Sequence, residues 1–101
     1  MLPIDLEDKV ALVTGCTQGI GLGIARLMAR AGCSIAGCGL SPENSTKASE
    51  FLRQINREGR KVIYRQADIR SEAEVNSFVR AAVDEYGRID FLVSNAFSKL
   101  I

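Results

Sequence analysis

The chain has 101 residues, of which 47% are hydrophobic and 25% are charged, a composition that excludes disorder and, at this length, more than one domain. Its 13 basic and 12 acidic residues give a formal net charge of +1, so it offers no basic surface for nucleic acid or for an anionic membrane. No apolar run approaches the roughly 18 residues of a membrane span, and no basic segment followed by an apolar run resembles a secretory signal, so we expect a cytoplasmic protein.

The first predicted element is a buried strand that leads through a glycine-rich turn into a helix. Val10 to Val13 form an apolar run typical of a strand covered on both faces. In the turn, Gly15 allows a tight bend, Gly19 leaves room for a diphosphate, and Gly21 lets the helix lie close to the strand. The N–H groups at the start of the helix would then face an anion.

A glycine-rich turn of this kind has two other interpretations besides a dinucleotide loop. A nucleoside triphosphate loop is disfavoured, because no Gly-Lys-Ser or Gly-Lys-Thr closes the turn. A tight turn that binds no ligand remains the other alternative.

The first two helices are predicted from apolar residues at helical spacing. On the first helix the predicted core-facing stripe is Ile20, Ile24, Leu27, Met28 and Ala31. Ser34 to Cys38 predicts the second strand, which ends at Gly39 and Leu40. Ser41 and Pro42 are typical of a helix start. The core-facing stripe of this second helix is Ala48, Phe51, Leu52 and Ile55.

The second half of the chain repeats the alternation of strand and helix. Val62 to Arg65 predicts the third strand, and Ser71 with Glu74 forms a capping box at the start of the third helix. Its predicted inward residues are Val75, Phe78, Val79, Ala82, Val83 and Tyr86. Phe91 to Ser94 predicts the fourth strand.

This alternation predicts a parallel α/β sheet with right-handed crossovers and the strand order 3-2-1-4. Ligands bind such sheets outside the carboxyl ends of the strands, where the direction of winding reverses. Gly15, Gly39, Asp68 and Asn95 all fall at that end. Their convergence predicts a nucleotide site.

The three cysteines and the absence of histidine argue against a metal site. Cys16 has two interpretations: a reactive thiol beside a helix N-terminus, or a small residue that fills a tight loop. Cys33 and Cys38 are expected to be small apolar core residues in a reducing compartment.

Three motifs together resemble the N-terminal half of the short-chain dehydrogenase/reductase family: Thr14-Gly-x-x-x-Gly-Ile-Gly21, Asp68 after the third strand, and Ser94-Asn95-Ala96 after the fourth. The resemblance implies a truncated Rossmann-type doubly wound sheet of four strands and three helices. From it we expect residues 1–101 to be an N-terminal NAD(P)-binding half-domain with no second domain.

The resemblance also implies roles for individual residues. Asp68 would contact the adenine amino group, Ile69 would line the ring pocket, and Asn95 and Ala96 would run beside the cofactor ribose. Phe97 departs from the glycine that the family has after Ala96. The predicted cofactor-binding residues are Gly15, Thr17, Gln18, Gly19, Ile20, Gly21, Gly39, Leu40, Asp68, Ile69, Asn95 and Ala96.

The choice between NAD and NADP is expected at the end of the second strand. A carboxylate there would favour NAD and an arginine would favour NADP, but the chain has Gly39 and Leu40. Gln18 stands where NADP-preferring members often carry a basic residue. We therefore predict a slight preference for NAD, with Ser41 or Asn44 as the alternative contacts to the ribose.

The family's catalytic tyrosine and lysine stand four residues apart, and this sequence contains no such pair. Tyr64 is followed at that distance by Asp68, and Tyr86 by Asp90. No catalytic residue is therefore assigned, and activity of this chain alone is not expected.

The predicted function is the cofactor-binding part of an NAD(P)-dependent oxidoreductase acting on a small carbonyl/hydroxyl substrate. The turn at 39–43 and the strand at 62–64 look similar to 3-oxoacyl-[acyl carrier protein] reductases and 3-hydroxybutyrate dehydrogenases, which favours a 3-oxoacyl or 3-hydroxyacyl compound.

Two alternatives stay open: a non-enzymatic nucleotide-binding module completed by a partner chain, and an inactive fragment. The family covers the fourth strand with further strands. Without them Phe91, Leu92 and Val93 would form an exposed apolar edge, which predicts self-association.

Overall fold

Strands and helices alternate through residues 5–95, the part of the chain that the computed structural model describes. The elements are β1 (Val10–Thr14), α1 (Gly19–Arg30), β2 (Ser34–Gly39), α2 (Thr46–Arg57), β3 (Val62–Gln66), α3 (Glu72–Tyr86) and β4 (Phe91–Val93). The strands form one parallel sheet in the order β3-β2-β1-β4, which confirms the predicted fold class and order. No helix within this range is long and apolar enough to cross a membrane.

The core lies on both faces of β1, the strand that the apolar run predicted to be buried. Ala11 and Val13 belong to a cluster on one face with residues of α1 and α2, whereas Val10 and Leu12 pack on the other face with residues of α3. Because β1 is covered on both sides, its side chains are apolar without alternation. The strand therefore serves as the centre from which the loops at its carboxyl end are positioned.

The buried face of α1 differs in part from the predicted stripe: Met28 packs against the core as predicted, but the fully buried residues are others. Gly21, Ala25 and Ala29 are its buried residues, while Ile20 and Leu27 from the predicted stripe are 74% and 63% exposed. Small side chains let a helix backbone approach a strand closely, and a β-carbon at Gly21 would lie 2.0 Å from the Gly15 carbonyl oxygen. The close approach of the helix therefore selects the small residues for the interior.

α2 begins later than predicted. Its N-cap is Ser45, whose hydroxyl accepts a hydrogen bond from the Ala48 N–H at 3.2 Å. Ser41 is held in the preceding loop, because its carbonyl accepts the Tyr64 hydroxyl at 2.7 Å. The predicted stripe is confirmed, with Ala48, Phe51 and Ile55 fully buried and Leu52 partly buried.

α3 has only half of the predicted capping box. The Ser71 hydroxyl accepts the Glu74 N–H at 3.2 Å, but the Glu74 carboxylate accepts the N–H of Asp68 at 2.9 Å rather than that of Ser71. The Ser71 N–H is already bonded to the Asp68 carbonyl. Glu74 thus connects the start of α3 to the turn after β3.

One residue of the predicted inward face of α3 does not lie inside. Val83 was predicted to face inward, but it is 43% exposed.

β4 is short and is paired along one edge. It pairs with β1 from Phe91 to Val93, and within residues 5–95 no other strand pairs with it. Leu92 is 66% exposed, whereas Phe91 and Val93 are partly buried and pack against the core, so of the predicted exposed apolar residues only Leu92 is exposed. An unpaired apolar edge is a surface to which another strand can add.

Alanine substitutions at two glycines of α1 test the close approach of this helix. Gly21→Ala should lower the free energy of unfolding by about 3 kcal/mol, because the β-carbon meets backbone that must move. Gly23→Ala is the matched control: a β-carbon there meets nothing within 4 Å, so we expect a gain of about 0.5–1 kcal/mol from helix propensity. Urea unfolding followed by circular dichroism measures both, and equal effects would contradict the packing described.

Candidate functional site

An open pocket of about 730 Å³ lies at the carboxyl ends of the strands. Its walls come from the glycine loop (residues 15 and 17–20), the end of β2 with the two residues that follow (39–41), the segment after β3 (67–70), Lys47 and Asn95. Most of the predicted site residues therefore meet at one place. Gly21 does not line the pocket, and Ala96, like Phe97, lies outside the described residues.

The glycine loop bends as its glycines allow. Gly15 and Gly19 have φ angles of 62° and 60°, in the left-handed region that favours glycine. A β-carbon at Gly19 would have no described neighbour within 4 Å, so this residue borders open space in the pocket. The loop thus leaves room for a ligand at the start of α1.

The N-terminus of α1 lacks a side-chain cap. Its N-cap residue, Gln18, makes no capping hydrogen bond, and the first turn contains no acidic residue, whereas Ser45 and Ser71 cap the other two helices. The first N–H groups of a helix attract anions. This end of α1 can therefore bind a negatively charged group in the pocket.

Cys16 fills space beneath the loop. Its side chain is fully buried, its N–H bonds to the Cys38 carbonyl at 3.3 Å, and burial raises the pKa of its thiol. A β-carbon at Gly37 would lie 2.5 Å from the Cys16 sulfur. These contacts support the small-residue interpretation, because a reactive thiol needs exposure and a lowered pKa.

Side chains of β3 hold the segment after β2. The Tyr64 hydroxyl donates to the Ser41 carbonyl, and the Gln66 side-chain amide donates to the Leu40 carbonyl at 3.0 Å. Burial raises the pKa of Tyr64, and its ring packs edge-on against Phe51 with the centroids 6.0 Å apart. Tyr64 therefore fixes the loop at the pocket rim, and its hydroxyl is engaged in this structural hydrogen bond rather than directed at a substrate.

Tyr86 is also engaged in a structural bond. Its hydroxyl donates to the Ile35 carbonyl at 2.9 Å, on the α3 side of the sheet. Burial raises the pKa of this hydroxyl as well. Neither tyrosine therefore provides a reactive group in the pocket.

Asp68 is paired with Arg70 at the rim. The Arg70 guanidinium donates to both carboxylate oxygens, the shortest distance being 2.7 Å, and the Arg70 N–H donates to the same carboxylate at 2.9 Å. These hydrogen bonds, chiefly those from the side chain, lower the pKa of Asp68 to about 2. The carboxylate is therefore ionised at neutral pH.

Asn95 joins β4 to the glycine loop. Its N–H donates to the Thr14 hydroxyl at 2.9 Å, and its side-chain amide donates to the Gly15 carbonyl at 3.2 Å. This residue thus positions the loop and also lines the pocket.

Lys47, Ala67 and Arg70 line the pocket although the sequence analysis did not select them. Lys47 comes from the second position of α2, and its position in the pocket wall depends on how the 40–45 loop folds. Ala67 and Arg70 flank predicted residues, so their positions next to Asp68 and Ile69 were the available signal. Among the described residues, no group of three or more histidine, cysteine or acidic residues is placed to hold a metal ion.

Comparisons with known proteins agree with this geometry. The family model of the short chain dehydrogenases matches residues 9–98. The chain is 41% identical over 91 residues to 2-dehydro-3-deoxy-D-gluconate 5-dehydrogenase of Escherichia coli, and 39% identical over 94 residues to a hydroxynaphthalene reductase of Aspergillus fumigatus. These alignments cover 90% and 92% of this chain but 34% and 33% of the relatives, so the chain spans about a third of their length.

A solved structure shows the same architecture. The crystal structure of a hydroxysteroid dehydrogenase from Escherichia coli superposes with a TM-score of 0.86 at 30% identity, covering 95% of this chain and 40% of that one. With the family match over nearly the whole chain, the sheet order and the glycine loop have one explanation: the chain belongs to the short-chain dehydrogenase family.

Proposed function

We propose that the pocket binds the adenosine diphosphate part of NAD or NADP, and that residues 1–101 are the cofactor-binding half-domain of an oxidoreductase acting on a small carbonyl/hydroxyl substrate. The observation that carries this proposal is Gly19, a left-handed glycine at the uncapped start of α1 with open space beside it. A diphosphate needs a close backbone approach and free N–H groups at one place.

The pocket walls suggest where each part of the nucleotide lies. The diphosphate would meet the loop at Gln18, Gly19 and Ile20. Leu40 and Ile69 line the pocket from separate segments and would enclose the adenine ring between them. Asn95 would border the ribose while holding the Gly15 carbonyl.

Asp68 is proposed to accept a hydrogen bond from the adenine amino group. Its pairing with Arg70 keeps the carboxylate ionised and aligned, and an ionised carboxylate is purely an acceptor. The adenine amino group would have to share these oxygens with the Arg70 guanidinium.

A bound nicotinamide cofactor supplies hydride transfer. The residues of this chain bind and orient the adenosine end, and none of them is assigned to proton transfer. We propose a 3-oxoacyl or 3-hydroxyacyl compound as substrate. Two sequence features support this choice: the turn at 39–43 and the strand at 62–64.

The predicted preference for NAD depends on the residues at the end of β2. Gly39 and Leu40 carry no charge, and Gln18 in the loop carries none. Lys47 lines the same pocket, however, so a cation lies closer to this region than the sequence analysis assumed. The proposal at this level is therefore NAD or NADP.

A second candidate is a nucleotide-binding module that a partner chain or a second copy completes. Its support is β4, which pairs with β1 along one edge and carries Leu92 at 66% exposure. A strand from another chain could add to this edge.

The proposed location is the cytoplasm. The three buried free cysteines are compatible with the cytoplasmic location that the composition predicts.

Substituting Gly19 tests the proposed diphosphate contact. Gly19→Asp places a carboxylate in the open space of the pocket, and we expect it to reduce the affinity for AMP, NADH and NADPH by at least 10-fold through repulsion and steric block. Isothermal titration of the full chain measures the binding.

Gly59→Asp is the matched control for Gly19→Asp. Gly59 also has a positive φ, of 80°, with open space beside it, but it follows α2 and does not line the pocket. We expect its nucleotide affinity to match that of the wild type. Equal losses in the two variants would argue against a diphosphate site at Gly19.

The Arg70–Asp68 pair predicts a specific titration. The ordinary pKa of an aspartate is 3.8, and at any pH above this value the paired Asp68 carboxylate stabilises the fold. This contribution is lost as the pH falls from 3.8 to about 2, the pKa of Asp68 in the folded chain. Arg70→Gln should move the pKa of Asp68 back toward 3.8, as measured by carboxyl carbon NMR. Arg88→Gln, which breaks the similar pair with Asp90 elsewhere, should leave the Asp68 titration unchanged; an Asp68 pKa unaffected by Arg70→Gln would contradict the assigned cause.

The β4 edge predicts concentration-dependent association. Leu92→Lys places a charge at the exposed centre of the strand, and charges on edge strands oppose pairing. Sedimentation velocity should show less dimer or aggregate for this variant than for the wild type. Val83→Lys, at an apolar position on α3 that is 43% exposed, is the control and should leave association unchanged. Association unaffected by Leu92→Lys would exclude this edge as the interface.

A further inference from the structure

Lys47 is a cation in the wall of the pocket into which β2 leads. It lines the pocket together with Gly39, Leu40 and Ser41. Among residues 5–95 no carboxylate forms an ion pair with its ammonium group. The positive end of the α2 dipole lies in the same place, because Lys47 is the second residue of that helix. This corner therefore favours a negative charge.

The acidic residue of the neighbouring loop is directed elsewhere. Glu43 is the acidic residue of the loop before α2, and its Oε2 accepts the Gln66 N–H of β3 at 3.1 Å. Glu50, three residues after Lys47 on α2, is paired with Arg53. Glu43 is absent from the pocket wall. A carboxylate that could hydrogen-bond the two ribose hydroxyls of NAD is therefore not presented at the end of β2.

The other cation of the pocket is already engaged. Arg70 donates to both oxygens of Asp68, in the segment after β3. Lys47 is thus the pocket cation that keeps its charge uncompensated within the described part of the chain. The two cations differ in this respect although both line the same cavity.

We infer that Lys47 binds the 2′-phosphate of the adenosine ribose, so that the pocket prefers NADP(H) to NAD(H). An ammonium group binds phosphate as a compact charge with three donors. The inference rests on the proposed nucleotide site and reverses the slight NAD preference predicted from Gly39 and Leu40. It makes Lys47 a specificity-determining residue from α2, separate from the glycine loop and from the last residues of β2.

The test uses two nucleotides that differ in the proposed group: 2′,5′-ADP, which carries the 2′-phosphate, and 5′-AMP, which lacks it. Calorimetric titration of the full chain should show about 10-fold tighter binding of 2′,5′-ADP than of 5′-AMP. A tenfold difference in affinity corresponds to roughly the free energy of one hydrogen bond between charged groups. Lys47→Gln should bring the two affinities together without weakening 5′-AMP. Lys47→Arg should retain the discrimination, and high salt should reduce it.

Lys61→Gln is the matched control, because it removes the same charge at the amino end of the sheet, away from the pocket. It should bind both nucleotides as the wild type does. Equal binding of the two nucleotides by the wild type, or discrimination that persists in Lys47→Gln, would overturn the inference while the nucleotide site stands. If the folded wild type binds neither nucleotide, both the inference and the proposed function are overturned.

Discussion

The close approach of α1 to the turn after β1 is the constraint on which the rest of the site depends. A β-carbon at Gly21 would lie 2.0 Å from the Gly15 carbonyl oxygen and 2.7 Å from the Asn95 side-chain nitrogen. That nitrogen donates to the same carbonyl. The helix start, the glycine loop and the end of β4 therefore meet at one point, and this close approach is possible only because residue 21 has no side chain.

The pocket wall formed by residues 39–41 depends on hydrogen bonds from two side chains of β3. Tyr64 and Gln66 donate to the carbonyls of Ser41 and Leu40, and the backbone N–H of Gln66 holds the Glu43 carboxylate. These bonds keep residues 40–43 in a loop and delay the start of α2. The same arrangement withdraws an acid from the pocket and leaves Lys47 at its rim, so packing and cofactor preference are linked through β3.

The sequence was sufficient for the sheet order and for most of the pocket, because both depend on local signals. Glycines that require a left-handed φ, an apolar run and Asp68 or Asn95 after a strand are each visible in a few residues. The buried face of α1 could not be predicted in this way. Large apolar side chains such as Ile20 and Leu27 were expected inside, but the close approach of the helix to the sheet buries the small residues Gly21, Ala25 and Ala29. The start of α2 and the position of Lys47 depend on contacts between β3 and a distant loop, which the order of residues does not reveal.

The central claim is that this chain forms an adenosine diphosphate site at the carboxyl end of its sheet. Backbone amide NMR of the full chain during an AMP titration tests it most directly. The account predicts saturable shifts of the amides in the glycine loop, in residues 39–41 and in residues 67–70, with Gly59 and Lys61 at the opposite end unchanged. Shifts that concentrate at the opposite end, or a folded chain whose amides do not respond, would contradict it.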